Sequence, residues 1–237
     1  MNTLGSRNHM IDLHNVSKYF GANGTTAAIA NISLSCHAGE LVLLLGPSGS
    51  GKTTLLTLMA GLIRPSEGHI FLFGNEVQSC SDEKLQDLRA RRLGFIFQNF
   101  LLIDSLTVME NVTLVLRFGG VNGARAIEAA RLLLRTFGVE QAAGKFPSTL
   151  SQGEKQRVAI ARAIANGGEV IFADEPTASL ESKQGLEIIC LLRSLAKECN
   201  KCVVVATHDL RLVDYADTIV HLRDGEIVRT EWGKMGS

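Results

Sequence analysis

The stretch Gly46-Pro47-Ser48-Gly49-Ser50-Gly51-Lys52-Thr53-Thr54 decides the fold. It satisfies G-x-x-x-x-G-K-[ST] and directly follows the apolar run Leu41-Val42-Leu43-Leu44-Leu45. That run reads as a buried strand and Thr53 to Ala60 as a helix, so the glycines fall in a strand–turn–helix junction. In such a junction consecutive backbone N–H groups converge on phosphate oxygens, and the helix start adds partial positive charge. Lys52 is expected to neutralise β- and γ-phosphates, and the Thr53 hydroxyl to ligate Mg²⁺. A chance glycine-rich turn is the plainer reading, and the strand and helix on either side argue against it. The expected ligand is a nucleoside triphosphate.

The bulk composition fits a single large α/β domain. The 237 residues are 46% hydrophobic, enough for a substantial core, and 24 basic side chains balance 24 acidic ones. No long-range field therefore draws the chain to nucleic acid or to an acidic membrane surface. No apolar stretch approaches the ~20 residues that span a bilayer. Residues 1–9 read as a leader or a cloning remnant and 230–237 as a short tail, leaving 10–229 as one domain. Five cysteines, at 36, 80, 190, 199 and 202, form no disulfide framework and point to a reducing, cytoplasmic setting. Cys199 and Cys202 make a C-x-x-C with no second ligand pair at zinc spacing, so they read as ordinary cysteines in a helix-to-strand connection.

Two further short runs rich in β-branched residues precede polar groups: Val170-Ile171-Phe172-Ala173 before Asp174-Glu175, and Val203-Val204-Val205-Ala206 before Thr207-His208. Separated by helical patterns, they predict a parallel sheet covered on both faces. Ligands collect at the carboxyl ends of such strands. Asp174 then suits Mg²⁺ binding, directly or through water, and Glu175 suits polarising a water that attacks the γ-phosphate. His208 suits a hydrogen bond to that phosphate or to the water, although a histidine at a strand end is more often structural.

Leu150-Ser151-Gln152-Gly153-Glu154 opens another helix, with Ser151 as its cap and Glu154 three residues on, the spacing of a capping box. The helix is expected to end near Gly167-Gly168. This segment resembles the signature motif of ATP-binding-cassette (ABC) ATPases. The phosphate loop, Gln98 in Phe95-Ile96-Phe97-Gln98, the signature, Asp174-Glu175 and His208 follow that family's order, so the resemblance covers residues 10 to 229. It implies an α/β, RecA-like core with an N-terminal antiparallel β-subdomain and a helical subdomain inserted from roughly 98 to 155. It further implies a head-to-tail dimer of two copies enclosing two ATPs. Residues 46–54 of one copy, Gly46, Pro47, Ser48, Gly49, Ser50, Gly51, Lys52, Thr53 and Thr54, would then face Ser151, Gln152, Gly153 and Glu154 of the other. By the same resemblance Thr53, Gln98 and Asp174 hold Mg²⁺, Glu175 is the base, His208, Lys52 and Gln98 assist, and Phe20 stacks on adenine. Tyr19 is the second candidate for stacking, and core packing is the alternative for Phe20.

Two positions depart most from the family pattern, Gln152 where the first signature glycine is usual and Glu181 where an aspartate is usual; Glu154 in place of the signature glutamine is a milder departure that suits the capping box. Leu93 to Phe100 and Leu106 to Val112 resemble the ATPases of macrolide-exporter and lipoprotein-release systems, and Ala173 to Gly185 also the cyanobacterial glycolipid-exporter ATPase. That likeness implies a separate membrane permease and, in many such systems, a periplasmic adaptor and an outer-membrane channel, with the chain on the cytoplasmic face of the inner membrane. Phe100-Leu101-Leu102-Ile103 is the expected permease contact, with packing inside the helical layer as the alternative. A mechanical or regulatory ATPase that moves no substrate is the competing function. A nucleic-acid-linked member is disfavoured by the single cassette and the absence of a basic patch.

Overall fold

A computed structural model describes residues 9–21 and 26–233. Of the expected leader (1–9) and tail (230–237), residues 1–8 and 234–237 lie outside the described residues. Strand β1 (His9–Phe20) pairs antiparallel with β2 (Thr26–His37) and with β4 (Glu67–Leu72), and the short β5 (Asn75–Glu76) completes a four-stranded sheet in the order β2-β1-β4-β5. The second sheet has six strands. Its centre is built from β3 (Leu41–Leu45), β8 (Cys202–Thr207), β7 (Val170–Asp174) and β6 (Leu93–Ile96), all parallel. Strand β9 (Thr218–Arg223) runs parallel to β3, and β10 (Glu226–Trp232) returns antiparallel along β9 at the edge. His9 and Thr230 to Trp232 are thus part of the sheets, beyond the 10–229 bounds read from sequence, because Trp232 still pairs opposite Thr218.

Every residue of β3 and β8 is buried, as expected for strands covered on both faces. Alternation divides them between two cores. Leu41, Leu43, Val203, Val205, Ile171 and Ala173 face a helical layer made of α3 (Val108–Phe118), α4 (Gly123–Thr136), α5 (Gln152–Ile164) and α6 (Ser182–Lys197). Val42, Leu44, Val204, Ala206, Val170 and Phe172 face α1 (Lys52–Met59) and the antiparallel sheet. Helix α2 (Asp82–Arg92) leads into β6. Burying a side chain of Leu or Phe size removes its apolar area from water at ~25 cal/mol per Å², so each alternate position contributes about 1.5–3 kcal/mol to one core or the other.

Two local devices place the helices that matter. Thr107 and Ser151 cap α3 and α5, each with a complete capping box closed by Glu110 and by Glu154. Helix α5 lies so close to β6 that a Cβ on Gly94 would sit 2.1 Å from the Ala163 carbonyl oxygen. Only a residue without a side chain permits that approach.

Candidate functional site

The phosphate loop leaves the carboxyl end of β3 and enters α1, whose N-cap is Gly51. Beside it opens a cavity of about 610 Å³ lined by Ser48, Gly49, Gly51, Lys52, Thr53, Thr54, Gln98, Asp174, Glu175 and His208. The groups at the ends of β3, β6, β7 and β8 therefore meet in one place, as the strand-end argument requires. Gly46, Pro47 and Ser50 stand behind the loop: the Lys52 ammonium donates to the Gly46 and Pro47 carbonyls at 2.7 and 3.0 Å, and Ser50 is buried. Those bonds hold Lys52 along the loop, with its Nζ 3.9 Å from Glu175 Oε1.

Asp174 closes β7, and its Oδ2 accepts from the Thr53 hydroxyl at 2.9 Å. Burial pushes the Asp174 carboxyl above its ordinary value; the Thr53 hydrogen bond opposes this, and the adjacent Glu175 adds to it. A carboxylate that is short of compensating positive charge beside a hydroxyl and the Gln98 amide is a hard-oxygen set that suits Mg²⁺. Among the described residues no cluster of three His, Cys, Asp or Glu stands ready to hold a metal by itself. The fit is thus to an ion that takes its remaining ligands from phosphate and water. Cys199 follows α6 and is exposed, Cys202 opens β8 and is buried, and both are free thiols.

Glu175 is held in the left-handed region at φ 48°, a conformation costing about 1–2 kcal/mol for a residue with a Cβ. Three hydrogen bonds hold it there. Its N–H donates to Ala206 O at 2.8 Å, the Thr207 hydroxyl donates to Oε2 at 2.8 Å, and Oε1 lies 2.9 Å from His208 Nδ1. Backbone strain at a carboxylate beside the phosphate loop is common at active sites. Behind it, Thr177 and Arg211 both donate to Asp209, and the Arg211 guanidinium holds that carboxyl down at about 2.

The signature residues do not reach this cavity. Ser151 caps α5 away from it, and Glu154, kept below the usual carboxylate range by the Ser151 N–H and hydroxyl, closes the capping box. Gln152 occupies the first helical position with its side chain exposed, so the substitution leaves the cap and the helix start intact. Glu181 is the N-cap of α6 but makes no side-chain capping bond, which an aspartate is short enough to form. Phe20 is 46% exposed, which removes the core reading, and its ring stacks on the Lys18 ammonium outside the cavity lining. Tyr19 is half-buried and hydrogen-bonded to Glu67.

Four lining residues had no place in the sequence reading: Ala27, Ala28, Asp224 and Gly225. Asp224-Gly225 between two strand-like runs was a visible cue for a hairpin turn. Nothing local to that dipeptide brings it to the phosphate loop.

The family model described as ABC transporter matches residues 29–178. The chain is 41% identical over 227 residues to the ATP-binding protein MJ0796 of Methanocaldococcus jannaschii, covering 94% of this chain and 97% of that one. It is 39% identical over 220 residues to the macrolide export ATP-binding/permease protein MacB of Pasteurella multocida. That match takes in 92% of this chain but only 34% of MacB, so the chain spans about a third of the MacB-type relatives. A solved dimeric MJ0796 cassette in a post-hydrolysis state with ADP and Pi superposes with a TM-score of 0.87 at 39% identity, covering 94% of this chain and 98% of that one.

Proposed function

This chain belongs to the ABC transporter family, and from that premise we propose that it is the ATP-binding and ATP-hydrolysing subunit of a membrane transporter, acting as two identical copies beside a separate permease. The observation that carries this reading is the division of the motifs: the phosphate loop, Asp174, Glu175 and His208 share one cavity, while the capped start of α5 stands outside it. The remaining free N–H groups at that helix start carry partial positive charge, which suits them to a phosphate held by another copy.

In the proposed cycle Lys52 and the loop N–H groups hold the β- and γ-phosphates, and Phe20 lies against the base. Thr53, Gln98 and Asp174 would hold Mg²⁺, which supplies charge neutralisation on the phosphate oxygens. Glu175 takes the proton of the attacking water as the γ-phosphoryl moves to that oxygen. His208, held by Glu175 Oε1, steadies the phosphoryl from the other side. Ser151 and Gly153 of the second copy cover the γ-phosphate until phosphate leaves. Residues 98–155 act as the helical subdomain that Gln98 links to the site. The permease contact is assigned to the exposed Leu101 and Ile103 and to the apolar cleft of about 730 Å³ lined by Phe95, Phe97, Val115, Phe118 and Arg162, whose guanidinium donates to the Leu101 carbonyl. Leu102, by contrast, packs on the helical core. The likeness to MacB favours export with an adaptor and an outer-membrane channel, and a position on the cytoplasmic face of the inner membrane. Among the described residues no helix is long and apolar enough to cross a membrane.

The test is steady-state ATP hydrolysis by the wild type and Glu175→Gln, with size-exclusion chromatography in ATP. The variant is expected to lose at least 10²-fold in kcat, the usual contribution of a positioned base, and to elute as a dimer. Wild-type turnover in the variant removes Glu175 from the role of base.

A further inference from the structure

The peptide unit joining Ser50 to Gly51 is held from behind. Its carbonyl accepts a hydrogen bond from the Gly225 backbone N–H at 3.1 Å. The described chain has no cis peptide bond, and in a trans unit C=O and N–H point in opposite directions. Fixing the Ser50 carbonyl on Gly225 therefore fixes the direction of the Gly51 N–H. Gly51 lines the cavity, and its N–H has no protein acceptor among the described residues.

Gly225 is itself fixed on two further sides. Its carbonyl accepts from the Ala30 N–H of β2 at 2.9 Å. Asp224 and Gly225 have φ of 50° and 82°, the left-handed pair of a type I′ hairpin turn. A Cβ on Gly225 would meet the Ala28 carbonyl oxygen at 2.8 Å and its carbon at 3.1 Å. The hairpin is already closed by its own ladder, with Arg223 opposite Glu226, so the Ser50 contact serves the loop and not the hairpin.

We infer that Gly225 is a positioning residue for the phosphate loop: the β9–β10 turn aims the Gly51 N–H at the nucleotide's phosphates and ties that aim to β2. This rests on the ATP-binding reading above and deepens it. Released from Gly225, the 50–51 peptide is free to rotate, since Gly51 carries no side chain to oppose it, and to turn its carbonyl towards the phosphates. Hydrogen bonds in series through one peptide unit also polarise each other. A phosphate on the Gly51 N–H thus strengthens the Gly225–Ser50 bond, and loss of that bond weakens phosphate binding.

The experiment uses the full chain and MgADP as probe. On titration into the wild type, the Gly225 amide proton is expected to move downfield and to exchange at least threefold more slowly, while the Gly74 amide, in the β4–β5 turn, does neither. Gly225→Ala is expected to raise the MgADP Kd about tenfold, the value of one hydrogen bond to a charged group. Gly74→Ala serves as control, since Gly74 also has positive φ (73°) but nothing within 4 Å of a Cβ; its Kd should stay within twofold. A Gly225→Ala protein that melts earlier yet keeps the wild-type Kd overturns the inference. So does a wild type that binds MgADP while its Gly225 amide stays silent, a result independent of whether the variant folds. A wild type that binds no MgADP overturns the ATP-binding reading and this inference with it.

Discussion

Replacing Gly94 with alanine perturbs both halves of the catalytic arrangement through one contact. A Cβ at 94 would lie 2.1 Å from the Ala163 oxygen, 2.8 Å from its carbon and 2.8 Å from Ile171 Cδ1. The isoleucine methyl can rotate away, but the carbonyl is part of the α5 backbone and cannot. Ordinary contact begins near 3.4 Å, so α5 and β6 must separate by about 1.3 Å. Overpacking costs roughly 1–3 kcal/mol, and a backbone obstacle belongs at the upper end. For a domain of this size each kcal/mol is worth about 2–4 °C, so Tm should fall by roughly 6–12 °C. The displacement also reaches the chemistry, because β6 runs on to Gln98 and α5 begins at the Ser151 cap. The phosphate loop lies on β3, separated from β6 by β8 and β7, so kcat should fall more than KM rises. Calorimetric melting and steady-state ATP hydrolysis measure both effects. Gly144→Ala is the control, since a Cβ there meets nothing within 4 Å. A Gly94→Ala protein melting within 2 °C of wild type with unchanged kcat refutes the reasoning.

Ser151→Ala removes the hydroxyl that accepts from the Glu154 N–H, which should cost about 1 kcal/mol and show as a melting temperature lower by ~2–4 °C. Asp209, held at about 2 by Arg211, lies below its unfolded value near 3.9; the pair therefore contributes stability that is fully present above pH ~4 and is lost as pH falls towards 2. The urea midpoint of Arg211→Ala should accordingly trail wild type at pH 6 by a gap that narrows to well under half by pH 2.5, and a constant gap across that range contradicts the assignment. Leu101→Asp with Ile103→Asp, both exposed, should abolish co-purification with the permease at unchanged Tm, whereas Leu102→Asp should lower Tm outright. Equal melting of the two variants would sink this distinction.

The features legible in the chain are those whose physics is local. An apolar run, three glycines and a lysine determine β3, the phosphate loop and α1, and the spacing of Ser151 and Glu154 determines the capping box seen at α5. The convergence of Lys52, Asp174 and His208 followed from one rule about strand ends. Contacts that depend on which strands become neighbours were not legible. The Asp224-Gly225 turn reaches Ser50 only because β9 inserts beside β3. The partial burial of Leu102 between the exposed Leu101 and Ile103 depends on the irregular path after Gln98, where Phe100 and Leu101 take φ of 58° and 47°. Neither apolar periodicity nor turn chemistry marks such a path. Glu175 was identified by its position after a strand, but its strained backbone and triple restraint arise from β8, more than thirty residues further along.

On the proposed head-to-tail arrangement, the separation of Ser151 from the nucleotide cavity would set the kinetic order of the reaction. A molecule whose two half-sites stay apart can turn over only on meeting another, so specific activity in dilute solution should grow with protein concentration and respond to ATP with a Hill coefficient approaching two. Anchoring two copies on one permease changes that regime. Tethered partners experience a millimolar local concentration whatever their abundance. On the proposed function, the membrane subunit would then set the rate by holding the pair within reach, before any conformational signal has passed.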